Sequence, residues 1–199
     1  MRPPEALRAV RDDAPPATAA LTLRGFVAGD AAKVFAMSRE EGVRTWLPDQ
    51  VYADEAEAAA VLQRLIAWTR DPGTPRRAPY VLAICRAGSA KPVGHAGLSP
   101  LGSEVEVGFA LERRWQGHGL GTAAVRQLVE WSLGRFALPR VIGVVADDNA
   151  VSWQVLERAG FELASRIPGT LHGRAGLVRT YHFEPAAGAR LHDVRRERS

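Results

Sequence analysis

A glycine-rich segment in the middle of the chain has the residue types and spacing needed to bind an anion through its backbone. Gly117, Gly119 and Gly121 alternate between the strand-like run Val105–Leu111 and a helix predicted to begin at Thr122. Glycine lets a backbone approach a ligand closely, and the free N–H groups of a first helical turn point towards an anion. The segment therefore predicts a phosphate-binding loop, with a tightly packed structural turn as the alternative.

Two well-known phosphate motifs do not fit this segment, and a third does. A P-loop ends in Gly-Lys-Ser/Thr, whereas Gly121 is followed by Thr and Ala. A dinucleotide fingerprint needs G-x-G-x-x-G directly after a strand and an acidic residue about 20 positions later, where this chain has Arg140. What remains is Q-x-x-G-x-G, made by Gln116, Gly119 and Gly121. It resembles the acyl-CoA pyrophosphate signature of the GCN5-related N-acetyltransferases, the GNAT family.

A second motif supports the resemblance independently. Asn149 and Ser152 open a predicted helix that ends in Gly160-Phe161, and the interval between the two motifs holds one helix and one strand. The Glu-Val-Gly-Phe that begins at Glu106, the Asn-x-x-Ser and the Trp-Leu-Pro at 46–48 are most similar to the RimJ/RimL-like branch. The resemblance covers about residues 21–185.

The resemblance implies that acetyl-CoA is the co-substrate and that three segments hold it. Backbone N–H groups would bind the pyrophosphate along one segment, namely Gln116, Gly117, His118, Gly119, Leu120, Gly121 and Thr122. Phe109, Ala110 and Leu111 would pair with the pantetheine amides like an added strand. Asn149 and Ser152 would face the cofactor near its thiol. In this family the strand at 105–111 carries a bulge and splays from the strand at 141–145, and a backbone N–H in the gap polarises the thioester carbonyl.

The implied reaction is attack of an amine on a thioester. An amine is mostly in its protonated form at neutral pH, so a base must remove a proton before the nitrogen can attack. Glu106 is the candidate catalytic base, or else a strand carboxylate facing water, and Glu104 on the same strand face is the alternative base. The departing thiolate benefits from an acid, and many family members place a tyrosine for that role where this chain has Leu156. Ser152 could donate the proton instead, or the thiolate could leave unaided because its pKa is about 8.5.

The acceptor is expected to be a protein N-terminus or a small-molecule amine. Residues 38–60 carry six acidic and two basic side chains, which would attract an amine or else begin helices on a solvated face. His172 and Arg174 lie in a glycine-rich segment, 169–176, that borders the acceptor cleft in this family, and Trp46 follows another loop that lines it. His118 could contact a phosphate or face the solvent.

The apolar patterns predict an α/β (α+β) domain in which these residues are positioned by one sheet. Strands are predicted at Leu21–Arg24, Tyr80–Cys85, Pro92–Leu98, Val105–Leu111, Val141–Val145, Glu162–Ile167 and Val178–Phe183. Helices are predicted at Ala31–Arg39 with Asp30 as its cap, from Asp54 to Asp71, at Thr122–Arg135, and from Asp147 to Gly160. This order and the resemblance together imply a GNAT fold, with a mixed, mostly antiparallel sheet of about seven strands, helices on both faces and splayed central strands.

The composition limits the other classes of function. The chain has 199 residues and a formal net charge of +4, with a predicted leader at 1–20 and a basic tail at 186–199. The body lacks the basic run of a duplex binder, so nucleic acid is not expected as a partner. Cys85 is the single cysteine, and the five histidines have no metal-ligand spacing, so neither a disulfide nor a metal site is predicted.

Three further expectations concern the setting of the protein. No apolar run approaches the roughly 20 residues that a membrane span needs, and no secretion signal is visible, so a cytoplasmic location is expected. A homodimer is a reasonable expectation because dimers are frequent in such families. The rival function from another class is a catalytically silent acyl-CoA-binding regulatory module, which the missing tyrosine suggests.

Overall fold

The computed structural model describes residues 14–15, 20–71 and 73–185. The tail at 186–199 and most of the leader at 1–20 lie outside the described residues, so the domain limits of 21–185 stay a prediction. The strands are β1 (Leu21–Gly25), β2 (Tyr80–Arg86), β3 (Pro92–Leu101), β4 (Glu104–Leu111), β5 (Val141–Ala146), β6 (Glu162–Leu171) and β7 (Arg174–Phe183). The α-helices are α1 (Ala31–Ser38), α2 (Glu41–Trp46), α3 (Glu55–Arg70), α4 (Leu120–Arg135) and α5 (Ala150–Ala159). Short 3-10 helices lie at Ala28–Asp30, Pro48–Gln50 and Arg113–Trp115.

The seven strands form one mixed sheet in the order β1-β2-β3-β4-β5-β7-β6, which confirms the predicted fold class. Every neighbouring pair is antiparallel except β4 and β5, which are parallel and share the single register pair Glu106↔Ile142. The splay of the central strands is therefore present. The expected bulge in β4 is not seen in its pairing with β3, where the register runs without a shift from Gly94↔Leu111 to Leu101↔Glu104.

Helices cover both faces of the sheet, as the order of elements predicts. In β2, Leu82 and Ile84 belong to the main hydrophobic core together with α4. The alternate residues Ala83 and Cys85 are also buried, but they are not part of that core. Because side chains alternate along a strand, these two pairs face opposite sides of the sheet. Helix α4 contacts β1, β3 and β4, and α3 contacts β2.

Local signals explain where the helices begin, with one correction. Asp54 caps α3 by accepting the Glu57 N–H at 2.8 Å, and Glu57 in turn accepts the Ala53 N–H at 2.6 Å. The prediction that Asp30 caps the first helix is wrong at the level of its side chain. The buried Asp30 carboxylate instead accepts two bonds of 2.8 Å from Arg24, because that cation lies beside it on β1.

The last two strands are longer than predicted and form a projecting hairpin. The glycine-rich segment 169–176 continues both strands, and the chain reverses only at His172 (φ +49°) and Gly173 (φ +77°). β7 pairs with β5 only from Val178 onwards, so the outer part of the hairpin extends beyond β5. Asp147, just after β5, holds the two strands of the hairpin by pairing with Arg166 of β6 at 2.7 Å and with Arg179 of β7 at 2.6 Å.

Candidate active site

The predicted phosphate loop leads directly into α4 and leaves backbone donors free. Gly117 (φ +78°) and Gly119 (φ +76°) adopt left-handed conformations that favour glycine. The first helical bond runs from the Ala123 N–H to the Gly119 carbonyl at 3.0 Å. The N–H groups of Leu120, Gly121 and Thr122 precede that bond and therefore have no acceptor within the helix. This is the backbone geometry that a phosphate requires.

The third glycine of the loop serves packing. Gly121 does not have a positive φ, and a Cβ built on it would lie 3.2 Å from Leu111 Cδ1 and 3.7 Å from a Val155 methyl. The first turn of α4 therefore leaves little room for a side chain between itself, β4 and α5. The alternative explanation offered by the sequence, tight packing, thus applies to one glycine of the three.

Two polar side chains of the loop are directed at its own backbone. Gln116 Nε2 donates to the Leu111 carbonyl at 3.0 Å, and His118 Nδ1 lies 2.8 Å from the Gln116 carbonyl. The Gln116 side chain therefore holds the loop against the end of β4, and the His118 ring contacts the loop's own backbone. Gln116 and His118 would therefore contribute to the predicted cofactor site through their backbone N–H groups and by fixing the conformation of the loop.

The edge of β4 that faces β5 is open beyond Glu106. Phe109, Ala110 and Leu111 are half-buried and pair on their other side with β3. The described residues include no β4–β5 register pair beyond Glu106, so this edge can accept an extended ligand as an added strand. Because β4 and β5 are parallel, the loop and Asn149 follow the carboxyl ends of neighbouring strands, and the fold brings the two sequence motifs to one side.

Glu106 lies at the closed end of this gap. Its side chain is half-buried, and the Val144 N–H of β5 donates towards its carboxylate. Burial raises the pKa of Glu106 above its ordinary value, while the Val144 N–H and His172 act in the opposite direction. A carboxylate with a raised pKa is a better proton acceptor near neutral pH.

Glu104, the alternative base, has a different environment. Arg140 Nε lies 3.2 Å from both of its carboxylate oxygens. The hydrogen bonds from Arg140 hold the pKa of Glu104 below its ordinary value. Because a carboxylate committed to a guanidinium is a weak proton acceptor, the geometry favours Glu106.

The motif after β5 forms the start of α5. Asn149 is buried and is the N-cap, since its Oδ1 accepts the Ser152 N–H at 3.3 Å. Leu156, at the position of the family tyrosine, is 1% exposed, and its side chain packs over Gly143 of β5. Ser152, half-buried in the first turn of α5, is therefore the hydroxyl that this motif offers near the gap.

The tip of the β6–β7 hairpin contacts the end of α2 and the segment that follows it. His172 Nδ1 lies 3.2 Å from Asp49 Oδ2, and the Arg174 guanidinium lies 4.6 Å from the centre of the Trp46 ring. Arg174 also donates to Asp148 at 3.2 Å. The sequence pointed to His172, Arg174 and Trp46 separately. It held no signal for the contact with Asp49 or for the Val144 N–H, since both depend on distant segments meeting.

Four acids of the stretch 38–60 are hydrogen-bonded within the protein, two of them to Arg113 after β4 and two at the start of α3. Glu40 accepts the Arg113 N–H at 2.7 Å, Glu41 pairs with Arg113, and Asp54 and Glu57 cap α3. Asp49 is the acid of this stretch that faces the hairpin.

The surroundings of Cys85 do not favour nucleophilic chemistry. Cys85 is buried and burial raises the pKa of its thiol, which opposes a role as nucleophile. Across residues 14–15, 20–71 and 73–185, no group of three His, Cys, Asp or Glu side chains is arranged to hold a metal ion. Over the same residues, no helix is both long and apolar enough to cross a membrane.

Comparison with known proteins decides the family. A family model described as "Acetyltransferase (GNAT) domain" matches residues 20–162, which is most of the chain. The chain belongs to the GNAT acetyltransferase family. The match includes the gap, the loop and the Asn149 helix, so the resemblance carried by the two motifs is confirmed.

Solved GNAT structures share this fold at low sequence identity. A GNAT-family acetyltransferase from Bacillus anthracis is 17% identical with a TM-score of 0.72, over 86% of this chain and 98% of that one. The ribosomal L7/L12 α-N-protein acetyltransferase RimL in complex with coenzyme A is 18% identical, with a TM-score of 0.70 over 86% and 97%. The microcin C7 self-immunity acetyltransferase MccE, in complex with acetyl-CoA and AMP, is 16% identical, with a TM-score of 0.70 over 84% and 94%.

Proposed function

We propose that this GNAT chain is an N-acetyltransferase that transfers the acetyl group of acetyl-CoA to a primary amine by direct attack on the thioester. The observation that carries the proposal is the gap between β4 and β5. It has Glu106 at its closed end, and beyond its open end lie the free N–H groups of α4. An open strand edge, an anion site and a half-buried carboxylate together suit acyl transfer from a coenzyme A thioester.

The residues of the chain fit the parts of acetyl-CoA in order. The backbone from Gln116 to Thr122 would bind the pyrophosphate, and the β4 edge at Phe109–Leu111 would pair with the pantetheine amides. Asn149 and Ser152 would lie at the thiol end. The fit rests on left-handed glycines and unpaired N–H groups, which need no cationic side chain.

Glu106 would act as the catalytic base. As the amine nitrogen forms its bond to the acetyl carbon, the carbon–sulfur bond breaks and the thiolate leaves. The amine proton passes to the Glu106 carboxylate, directly or through a water molecule. The thiolate would take a proton from Ser152 or leave unaided, because Leu156 is buried in the core and has no proton to give.

The acceptor class can be narrowed by assay. RimL is described as acting on a protein α-amino group and MccE as a self-immunity enzyme. Peptide N-termini and small-molecule amines are therefore the two panels to test on this chain. Release of free thiol from acetyl-CoA, followed with each panel, reports acetyl transfer whatever the amine.

The first test is calorimetric titration with acetyl-CoA, comparing two glycine variants. Gly119→Glu introduces a carboxylate at the loop, and we expect it to lose binding because that charge opposes the pyrophosphate. Gly102→Glu is the matched control, since Gly102 also has a positive φ (+59°) and open space, but lies in the β3–β4 turn at the other end of β4. Equal affinity for wild type and Gly119→Glu, or no binding by wild type, would contradict the proposal.

The second test separates an enzyme from a silent binding module. Glu106→Gln should retain acetyl-CoA affinity while kcat falls by roughly 10²–10⁴-fold, the usual contribution of a positioned base. Glu104→Gln is the control and should change kcat little. A wild-type protein that binds acetyl-CoA but releases no thiol with either amine panel would favour the regulatory module.

A further inference from the structure

The face of β4 that carries Glu106 is open in the middle of the strand. Val105 and Val107 are buried in the core with α4. Because side chains alternate along a strand, Glu106, Gly108 and Ala110 face the other side of the sheet. Gly108 is exposed, and a Cβ built on it meets nothing within 4 Å. Since β4 is a central strand of a sheet with helices on both faces, the exposure of Gly108 marks an opening in the cover of this face.

The cover of this face ends at the neighbouring strand. Gly97 of β3 pairs with Gly108 and faces the same side. Gly97 is buried, and a Cβ built on it would lie 2.8 Å from a methyl group of Val81 on β2. Val81 thus closes the face over β3, whereas nothing closes it over Gly108. The opening therefore lies between β3 and the β4–β5 gap that holds the Glu106 carboxylate.

Two polar side chains of β3 flank this opening. Ser99 is the register partner of Glu106, and His95 is the register partner of Ala110. Residues directly opposite each other in such a ladder have Cβ atoms about 4.5–5.5 Å apart. Both side chains are half-buried, and neither has a hydrogen-bond partner within the described part of the chain. Burial lowers the pKa of His95 to about 4, so its imidazole is uncharged at neutral pH.

Glu106 is the carboxylate that this opening offers to a cation. Its carboxylate accepts a backbone N–H, so it is not neutralised by a bonded guanidinium or ammonium group. Three other carboxylates around the cleft have basic partners, namely Glu104 with Arg140, Asp49 with His172 and Asp148 with Arg174. One available carboxylate between neutral hydrogen-bonding groups suits one ammonium group rather than several.

We propose that the opening over Gly108 is the acceptor subsite, and that its ligand is a primary amine with one positive charge and a neutral polar group. The missing side chain at Gly108 provides room for the substituent beside the amine. Ser99 and His95 are the hydrogen-bonding groups available to the neutral part. The inference rests on the proposed function, because it locates the acceptor of that reaction.

The kinetic test narrows the opening and uses glycinamide, alaninamide and valinamide as acceptors. In Gly108→Val the KM for the amine should rise by about ten-fold or more, and most for valinamide, because the new side chain fills the space of the substituent. The Kd for acetyl-CoA should stay within about two-fold, since this face is not the edge that binds the cofactor. Gly108→Ala should act in the same direction by less, and it serves if the valine variant does not fold.

The control is Thr22→Val, which places a valine on the same face of the sheet but on β1, at the far edge. Its KM values should stay within about two-fold of wild type. Ser99→Ala should raise the KM for alaninamide while the Kd for acetyl-CoA is unchanged. An amine that is acetylated with the same KM by wild type and Gly108→Val would overturn the inference and leave the proposed function intact.

An NMR titration decides the inference without turnover. Wild type is saturated with free coenzyme A, which has no acetyl group to transfer, and each amide is added in turn. The amide signals of Gly108 and Ser99 and the ring signals of His95 should shift with alaninamide, and less with spermidine, which carries three amino groups. Shifts there without acetylation would contradict the proposed function and keep the subsite. If none of the three amides moves these signals, the subsite is wrong.

Discussion

Three glutamates on or beside β4 show how surroundings assign different roles to one residue type. Glu104 is bound to Arg140 at the strand start, and Glu106 faces a backbone N–H at the closed end of the gap. Glu112, just past the strand, is 7% exposed and hydrogen-bonds Lys33 of α1 and Arg114, the latter at 3.0 Å. Glu112 therefore links the segment that follows β4 to helix α1.

The Glu112 contact predicts a stability effect at the scale of one residue. Glu112→Gln leaves Lys33 without its carboxylate, and we expect the free energy of unfolding in urea to fall by about 1–3 kcal/mol, discounted for the partial exposure of Lys33. Glu41→Gln is the matched control, since its pair with Arg113 is more than 80% exposed on both sides, and should cost under about 0.5 kcal/mol. Equal losses in the two variants would contradict this linking role.

At the scale of elements, the gap depends on how closely β3 holds β4. A Cβ built on Gly94 of β3 would lie 2.3 Å from the Ala110 carbonyl oxygen, a backbone atom that cannot rotate away. β4 is thus drawn towards β3 along its carboxyl half, where it has no pairing with β5. This close approach contributes to keeping the ligand-facing edge open.

Substitution of Gly94 tests that arrangement. Gly94→Ala must push β4 outwards, so we expect a loss of roughly 1–3 kcal/mol in the free energy of unfolding and weaker acetyl-CoA binding. Gly108→Ala is the matched control for stability, because a Cβ at Gly108 of β4 meets nothing within 4 Å. Chemical denaturation of both variants, with calorimetry for Gly94→Ala, measures the difference. A Gly94→Ala protein as stable as Gly108→Ala would show that the strands do not need this contact.

At the scale of the whole molecule, the sheet consists of two parts that meet at one register pair. β1 to β4 form one part and β5 to β7 the other, with Glu106↔Ile142 as their pairing. Helix α4 packs on the first part and also on α5, which contacts β5. A ligand that lies between β4 and β5 would therefore join the two parts of the sheet.

Acetyl-CoA should stabilise the protein in a characteristic pattern. At 100 times its Kd it adds about 2.7 kcal/mol to the free energy of unfolding, because it binds only the folded state. Amide hydrogen exchange, followed by mass spectrometry, should slow along 106–111, in the first turn of α4 and in β5. Gly119→Glu should show no such change. Protection confined to α4 would contradict binding between the strands.

Much of the fold could be predicted from the sequence because its signals are local. Apolar patterns placed all seven strands, and Asp54 and Gly160 marked helix ends correctly. Helix α2 was missed because six residues hold too little periodicity. The hairpin was predicted too short, since the glycines of 169–176 suggested a loop although paired strands can contain them. Asp30 was predicted to cap the first helix because the sequence does not show that its side chain pairs with Arg24.

The sequence by itself determined the family, the loop and the two motifs, because the left-handed glycines, the helix start and the Asn149 cap depend on residues near each other in the chain. The surroundings that distinguish the two candidate bases appear only in the tertiary structure. Glu104 and Glu106 look alike in the sequence, but Arg140 binds the first and the Val144 N–H the second, and both come from a distant part of the chain. The contact of His172 with Asp49 has the same origin, since charge and burial act through space and the fold sets those distances.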